Sequence, residues 1–322
     1  MVIGFICAVS LIRRLSRNIT PNPQYITNAA LYSLIAGVVG ARIFYVVHHF
    51  DQFHGRLAAV FAIWQGGLEL LGGVILAITV IFIFLRHHKL PVRRYLDILA
   101  IGLVLALAFG RLGCFMNGCC FGKPTDLAWA VRFPYASPPY RSQVQPDYQR
   151  SRSVARMELP EEFFGFYFNG DASTRILKQY NELTDDQKHF LRDADKLRSL
   201  PIHPTQLYSA ANALLLCLIL CLFRRRSQKD PKDRLLPNLF VKPGCTFGLM
   251  FILYGGTRFL IEYIRDDNPF EDMWWTIYKG GTISQNLGIY LIILGIALMM
   301  LFQKMNPDTF KLKSQPDRKN SR

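Results

Sequence analysis

Ile98-Leu99-Ala100-Ile101-Gly102-Leu103-Val104-Leu105-Ala106-Leu107-Ala108-Phe109 runs without a charge into Gly110-Arg111-Leu112-Gly113-Cys114-Phe115-Met116-Asn117-Gly118-Cys119-Cys120-Phe121-Gly122. The apolar run and the first residues of the second segment are together long enough to cross a bilayer, which takes about 20 residues. An arginine, an asparagine and three cysteines therefore stand at the mouth of a transmembrane helix. A charge placed centrally in a span costs roughly 2.5 kcal/mol or more, and such a charge marks a functional site. The glycines let a second backbone or a ligand headgroup approach closely.

The same pattern recurs along the chain. Apolar runs cover Tyr32–Val47, Leu68–Leu85, Ile98–Met116, Leu207–Phe223, Thr246–Ile264 and Leu287–Phe302, and Val2–Ile12 is half a run. With 51% hydrophobic residues in 322, this reads as an all-α polytopic membrane protein of about seven transmembrane helices, the first truncated. The basic cluster Arg13-Arg14-Leu15-Ser16-Arg17 follows the first apolar stretch, whereas a cleavable signal peptide carries its charge before it.

The net charge of +15 raises the question of nucleic acid. Its distribution answers no, because Lys and Arg fall in four separate patches after alternate helices. These are Arg13–Arg17, Arg86–Arg94, Arg224–Arg234 and the tail Lys304–Arg322. That is the positive-inside pattern, and it predicts an outside N-terminus and a cytoplasmic C-terminus in a multi-pass membrane protein. Trp64, Trp129, Trp274 and Trp275 then all fall at the outer interface. The expected organisation is helices one to four over residues 1–132, an extracytoplasmic head or arm over 133–202, helices five to seven over 203–303, and a basic cytoplasmic tail over 304–322. Within the arm, Thr184-Asp185-Asp186-Gln187 reads as a capping box before a helix with Phe190, Ala194 and Leu197 on one face. Ile176, Leu177 and Tyr180 predict a smaller helical face before it.

The ionisable residues inside the spans are Arg42, Glu69, Asp97, Arg111, Arg258 and Glu262, with Arg265 just beyond. The inferred orientation puts all but Asp97 toward the outer side. Arg258 and Glu262 are four apart and able to pair. Asp97, and Arg42 beside it in character, suit a structural ion-pair network. The surplus of guanidinium suits a phosphate gripped by two prongs, and at that depth the phosphate belongs to a lipid headgroup. Cys114, Cys119 and Cys120 read first as small packing residues, then as a disulfide, then as metal ligands, since paired Cys-x2-Cys spacing is absent. His203-Pro204-Thr205-Gln206-Leu207-Tyr208 opens the fifth helix with polar groups aligned to one cavity.

Three ordered motifs now stand together: Gly110 to Gly122 with Lys123-Pro124-Thr125-Asp126; His203 to Tyr208; and Arg258-Phe259-Leu260-Ile261-Glu262-Tyr263-Ile264-Arg265. With Gly40-Ala41-Arg42 and Trp64-Gln65-Gly66-Gly67, they resemble the bacterial prolipoprotein diacylglyceryl transferase family, from near Met1 to about Met300. The resemblance implies an enzyme of lipoprotein maturation that moves the diacylglyceryl group of phosphatidylglycerol onto the lipobox cysteine of prolipoprotein signal peptides. A thioether forms, glycerol phosphate leaves, and no metal or other cofactor is needed. It further implies that Arg111 and Arg258 hold the phosphate, with Glu262 and His203 also catalytic. Arg42, Glu69, Asn117, Gly118, Gly122, Gln206, Tyr208 and Arg265 would line the site. The family commonly has Asn where Cys114 stands, an acidic residue where Cys119 stands, and a histidine where Leu71 stands; Glu262, His203 and Glu69 are the candidate bases. A tyrosine-bearing half of the first helix is expected upstream of Met1. The competing readings are a lipid or anion carrier that binds the headgroup without chemistry, and a thiol–disulfide protein that would lack a Cys-x-x-Cys pair.

Overall fold

The computed structural model describes residues 2–17, 19, 22, 24–53, 57–62, 66–67, 69–169, 172–228, 241–270 and 274–305. Among these the chain is mostly helical. The long helices are α1 (Val2–Ser16), α2 (Gln24–His48), α3 (Leu70–His87), α4 (Val92–Asn117), α7 (Thr205–Gln228), α8 (Cys245–Glu262) and α9 (Ile283–Lys304). Four of them, α2, α4, α7 and α9, are long and apolar enough to cross a membrane. At 1.5 Å per residue the 26 residues of α4 reach about 39 Å, more than a hydrocarbon core of about 30 Å. The 15 residues of α1 reach about 22 Å. Trp64, and most of the basic patches beyond Gln228 and Lys304, lie outside the described residues.

Two compact units make up the chain. One contains Phe5–Leu103, Leu220–Phe247 and Leu298–Arg322. Its α2 and α3 approach at glycines: a Cβ on Gly40 would stand 2.5 Å from the Gly72 carbonyl oxygen, so only glycine permits this crossing. Ile12, Ile19, Ile26, Leu85, Tyr95 and Ile98 form a buried cluster there. Asp97 turns out to be a helix cap rather than one half of an ion pair alone. Its carboxylate accepts from the backbone N–H groups of Gly244 (2.8 Å) and Phe247 (3.0 Å), at the start of α8. The unsatisfied amides of a helix N-terminus and its positive dipole end favour an anion at that place.

The other unit contains Met1–Gly4, Val104–Ile219 and Gly248–Ala297. Its α8 and α9 also cross closely, since a Cβ on Gly255 would meet the Gly288 carbonyl oxygen at 2.5 Å. Asn212 of α7 donates to Thr257 Oγ1 of α8 at 3.0 Å, a side-chain bond between helices.

The arm lies in this unit and is folded. A short helix α5 (Pro138–Val144), an antiparallel hairpin of β1 (Phe164–Asn169) and β2 (Ala172–Leu177), and α6 (Asp185–Asp193) enclose a core of their own. That core holds Tyr140, Val144, Met157, Phe163, Phe164, Leu177, Leu183 and Leu191. The Thr184 capping box forms as expected, with Thr184 Oγ1 accepting from the Gln187 amide. The face of α6 differs from expectation: Leu191 is the buried apolar residue, while Ala194 is the C-cap and Leu197 lies beyond the helix. The expectation of a helical face at Ile176, Leu177 and Tyr180 is also corrected. Ile176 and Leu177 belong to β2, paired with Gly165 and Phe164, and alternation rather than helical spacing places Leu177 in the core. Burial pushes the Tyr135 hydroxyl up to about 12, with Glu182 adding to the rise, and that hydroxyl donates to the Lys178 carbonyl.

Candidate functional site

The last two turns of α4 deliver Arg111, Cys114 and Asn117, and the chain then doubles back. Gly118 (φ +75°) and Cys120 (φ +60°) both take the left-handed conformation that makes this reversal possible. The returning strand of residues 119–125 is pinned on two sides. Toward α7, His203 N–H donates to the Lys123 carbonyl (3.0 Å), Thr205 Oγ1 to the Cys120 carbonyl (2.7 Å) and Gln206 Nε2 to the Cys119 carbonyl (2.8 Å). Toward the end of α8, Lys123 N–H donates to the Ile264 carbonyl (2.9 Å) and Asp266 N–H to the Phe121 carbonyl (3.1 Å). Gly122 sits at the tightest point. A Cβ there would lie 2.7 Å from both the Cβ and the carbonyl oxygen of His203.

The charged cluster grows from the C-terminal turn of α8. Arg258 and Glu262, one turn apart, pair at 3.2 Å, and Glu262 is 2% exposed. Arg265 lies 3.9 Å from the same carboxylate and grips Asp267 with two nitrogens at 2.7–2.9 Å. Burial works against the charge on Arg265, but Asp267 and Glu262 outweigh it and raise its pKa. Asn268 donates its side-chain amide to Glu262 and to Ser284 Oγ (3.1 Å), and Arg258 Nη2 donates to the same Ser284 oxygen at 2.8 Å. Arg258 Nη1 is buried without a hydrogen-bond partner. Arg111 stands close enough for its charge to oppose that of Arg258, and Cys120 is close enough to act on Arg265. Three guanidiniums thus face two carboxylates, leaving one positive charge in surplus.

The arm closes one side of this cluster. Asp266, buried, receives Arg152 (3.5 Å) and Arg156, with Arg150 at 3.6 Å. Arg150 also donates to the carbonyls of Arg265 (3.0 Å) and Asn268. Burial, and then the neighbouring Arg156, lowers the pKa of Arg152. Arg150, Arg152, Arg156, Asn268 and Ser284 were not singled out from the sequence. Arg-x-Arg-x3-Arg in a polar insertion reads as solvated charge, and nothing local signals that it folds onto Asp266.

The residues expected at the site separate as follows. Arg111, Gly118, Gly122, Arg258, Glu262, Arg265, His203, Gln206 and Tyr208 come together in this unit. Gln206 is fully buried, with its Oε1 unpaired. His203 Nδ1 and Tyr208 Oη are 3.5 Å apart, and Tyr208 accepts from Trp129 Nε1 at 2.6 Å. Among the described residues no direct hydrogen bond or ion pair joins His203 to Glu262. Asn117 is exposed. Arg42 and Glu69 belong to the other unit. There Arg42 donates to the carbonyls of Ala59, Val60, Gly66 and Gly67 at 2.7–2.9 Å, and Glu69 meets His48 at 2.7 Å. Four of the five guanidinium N–H groups of Arg42 are thereby used in holding the loop before α3.

A family model described as prolipoprotein diacylglyceryl transferase matches residues 1–301. Among curated relatives, the phosphatidylglycerol–prolipoprotein diacylglyceryl transferase of Rhodopirellula baltica is 27% identical over 329 residues, covering 86% of this chain and 65% of the relative. The enzyme of that name from Xanthomonas oryzae pv. oryzae is 26% identical over 275 residues, covering 85% and 74%. That of Synechococcus elongatus is 32% identical over 140 residues, covering 44% and 48%. The chain therefore spans about half to three quarters of the length of the relatives it matches.

Proposed function

The chain belongs to the prolipoprotein diacylglyceryl transferase family, and from that premise we propose that it transfers the diacylglyceryl group of phosphatidylglycerol to the lipobox cysteine of a prolipoprotein. The thiol sulfur attacks the glycerol carbon, a thioether forms, and glycerol phosphate leaves. The observation that carries the reading is Arg258: a buried guanidinium held by Glu262 and Ser284 with Nη1 unpaired. In the site we read, Arg258 Nη1 donates both of its N–H groups to phosphate oxygens of the lipid, and Arg111 donates a further bond.

The chemistry needs such an arrangement. As the carbon–oxygen bond breaks, a phosphodiester becomes a monoester and negative charge grows on the leaving group. Fixed guanidiniums in a water-poor cleft stabilise that charge more than they stabilise the bound lipid. Glu262 is engaged by Arg258, Arg265 and Asn268, and we assign it to holding Arg258 rather than to meeting substrate first. The acceptor thiol, with a free pKa of about 8.5, must also lose a proton. His203, with Tyr208 beside it, is the base we favour, because its ring is outside the ion-pair network. Gly118, Gly122 and Gln206 shape the wall, Asn117 and Arg265 flank it, and Arg42 and Glu69 hold the loop before α3.

The membrane arrangement is part of the proposal. The helices α2, α3, α4, α7, α8 and α9 cross the bacterial inner membrane, with α3 and α8 the shorter crossings; α1, too short to cross alone, forms the cytoplasmic half of a seventh, and the N-terminal side and the arm lie outside. Purified protein in vesicles containing phosphatidylglycerol labelled in its glycerol backbone tests the activity. Label should move to a lipobox peptide, and a Cys→Ser peptide should receive none. Lipid binding without label transfer would replace the enzyme by a headgroup carrier.

A further inference from the structure

We propose that Cys114, Cys119 and Cys120 form a binding site for a thiophilic divalent cation of the zinc class, held by three thiolates with a fourth position left to an exchangeable ligand. The three sulfurs lie within 4.8 Å of one another. With metal–sulfur bonds of about 2.3 Å at tetrahedral angles, the sulfurs of such a site stand about 3.8 Å apart. The thiols therefore need to close by about an ångström at most. A donor set of sulfur alone, without histidine or carboxylate, suits zinc and softer ions and not magnesium or calcium.

The backbone that presents these sulfurs is built and held. Gly118 and Cys120 are both left-handed, which turns the chain so that residues 119 and 120 come back beside Cys114. A non-glycine residue in that conformation is strained and persists only where its surroundings impose it. Here Thr205 and Gln206 impose it by holding the carbonyls of Cys120 and Cys119. Cys119 Sγ–H already points to the Cys114 carbonyl at 3.7 Å. Arg111 Nη1 donates to Cys120 Sγ at 3.4 Å and fixes where that sulfur stands.

Charge and exposure agree with this assignment. Three thiolates and a divalent cation carry one net negative charge, and a guanidinium, that of Arg111, lies 3.4 Å from Cys120 Sγ. Each thiol gives its proton to solvent as it ligates, so each ion bound releases up to three. All three cysteines are half-buried, whereas Cys217 and Cys245 are buried as packing residues are. A disulfide would use two of the three sulfurs and leave the third without purpose, and the adjacent pair would be strained. The sequence ranks metal binding last for want of Cys-x2-Cys spacing; the reversal after α4 supplies the convergence that spacing does not.

The proposal is independent of transferase activity and is tested by metal content. The untagged full chain in detergent, stripped with chelator, is dialysed against Zn(II), and separately against Co(II). We expect one zinc per chain, and with Co(II) the charge-transfer absorption of thiolate ligation. Cys114→Ser, Cys119→Ser and Cys120→Ser should each weaken binding at least about a hundredfold, the upper range seen for losing only a supporting residue. Cys217→Ser should not. Size-exclusion profiles establish that each variant is folded, and the Co(II) spectrum of the unaltered chain decides the matter if a variant is not. The proposal is overturned by absence of binding in the unaltered chain, or by equal binding in the three-serine variant. A disulfide that joins any two of Cys114, Cys119 and Cys120 in the freshly isolated protein, found by alkylation and peptide mapping, would overturn it equally.

Discussion

Replacing Arg258 is the sharpest test of the phosphate grip. Its guanidinium gives one nitrogen to Ser284 at 2.8 Å, meets Glu262 at 3.2 Å, and keeps Nη1 unpaired. Hydrogen bonds to charged groups contribute about 1.5–3 kcal/mol each. Two such bonds to the phosphate, strengthened as its charge grows, amount to about 3–6 kcal/mol of barrier, or a loss of roughly 10²–10⁴ in kcat/KM for Arg258→Ala. Arg258→Lys keeps a charge but loses the second prong, so a loss of roughly 10–150-fold is expected. Removal also leaves buried Glu262 short of a partner, which costs stability by as much as about 3–5 kcal/mol when a pair is fully buried. Arg258→Met with Glu262→Gln removes both charges and separates the two effects: it should fold better than Arg258→Ala and remain as inactive. The assay is label transfer from phosphatidylglycerol to a lipobox peptide, normalised to folded protein by size exclusion. Arg258→Ala within tenfold of the unaltered enzyme, at equal folded protein, would refute the assignment.

Gly122→Ala should abolish transfer or folding, because its methyl group would enter the backbone of His203; thermal unfolding and transfer measured together will show which. Asp97→Asn should lower stability by about 1–2 kcal/mol, the cost of weakening a helix cap, and leave the KM for lipid unchanged. A reporter active only in the cytoplasm should be silent when fused near Asp185 in the arm and active when fused after Gln228, and the reverse result would discard the proposed orientation.

The helices were legible because a bilayer demands long apolar runs, and the runs ending near Phe223 and Phe302 fall inside α7 and α9. The Arg258–Glu262 pair was legible from spacing alone, since residues four apart share a helix face. Asp97 was half legible: its charge in an apolar run flagged it, but its partners are backbone amides some 150 positions away in sequence. The hairpin at Phe164–Leu177 was missed because Ile176, Leu177 and Tyr180 satisfy a helical and an extended pattern equally over so short a window. The clustering of the three cysteines depends on two left-handed residues, and side-chain chemistry does not announce a left-handed cysteine.

Three arginines of the arm converge on Asp266, and Arg150 reaches past it to the carbonyls of Arg265 and Asn268. Asn268 in turn holds Glu262. If the lipid binds where we propose, these contacts offer a route of coupling between it and the arm, and any such coupling is reciprocal. In that case a headgroup that tightens the segment from Glu262 to Asn268 slows hydrogen exchange in the arm, and lipid and an arm-bound peptide raise each other's affinity by one common factor. Acceptor and donor would then each report the other's arrival before any bond is made.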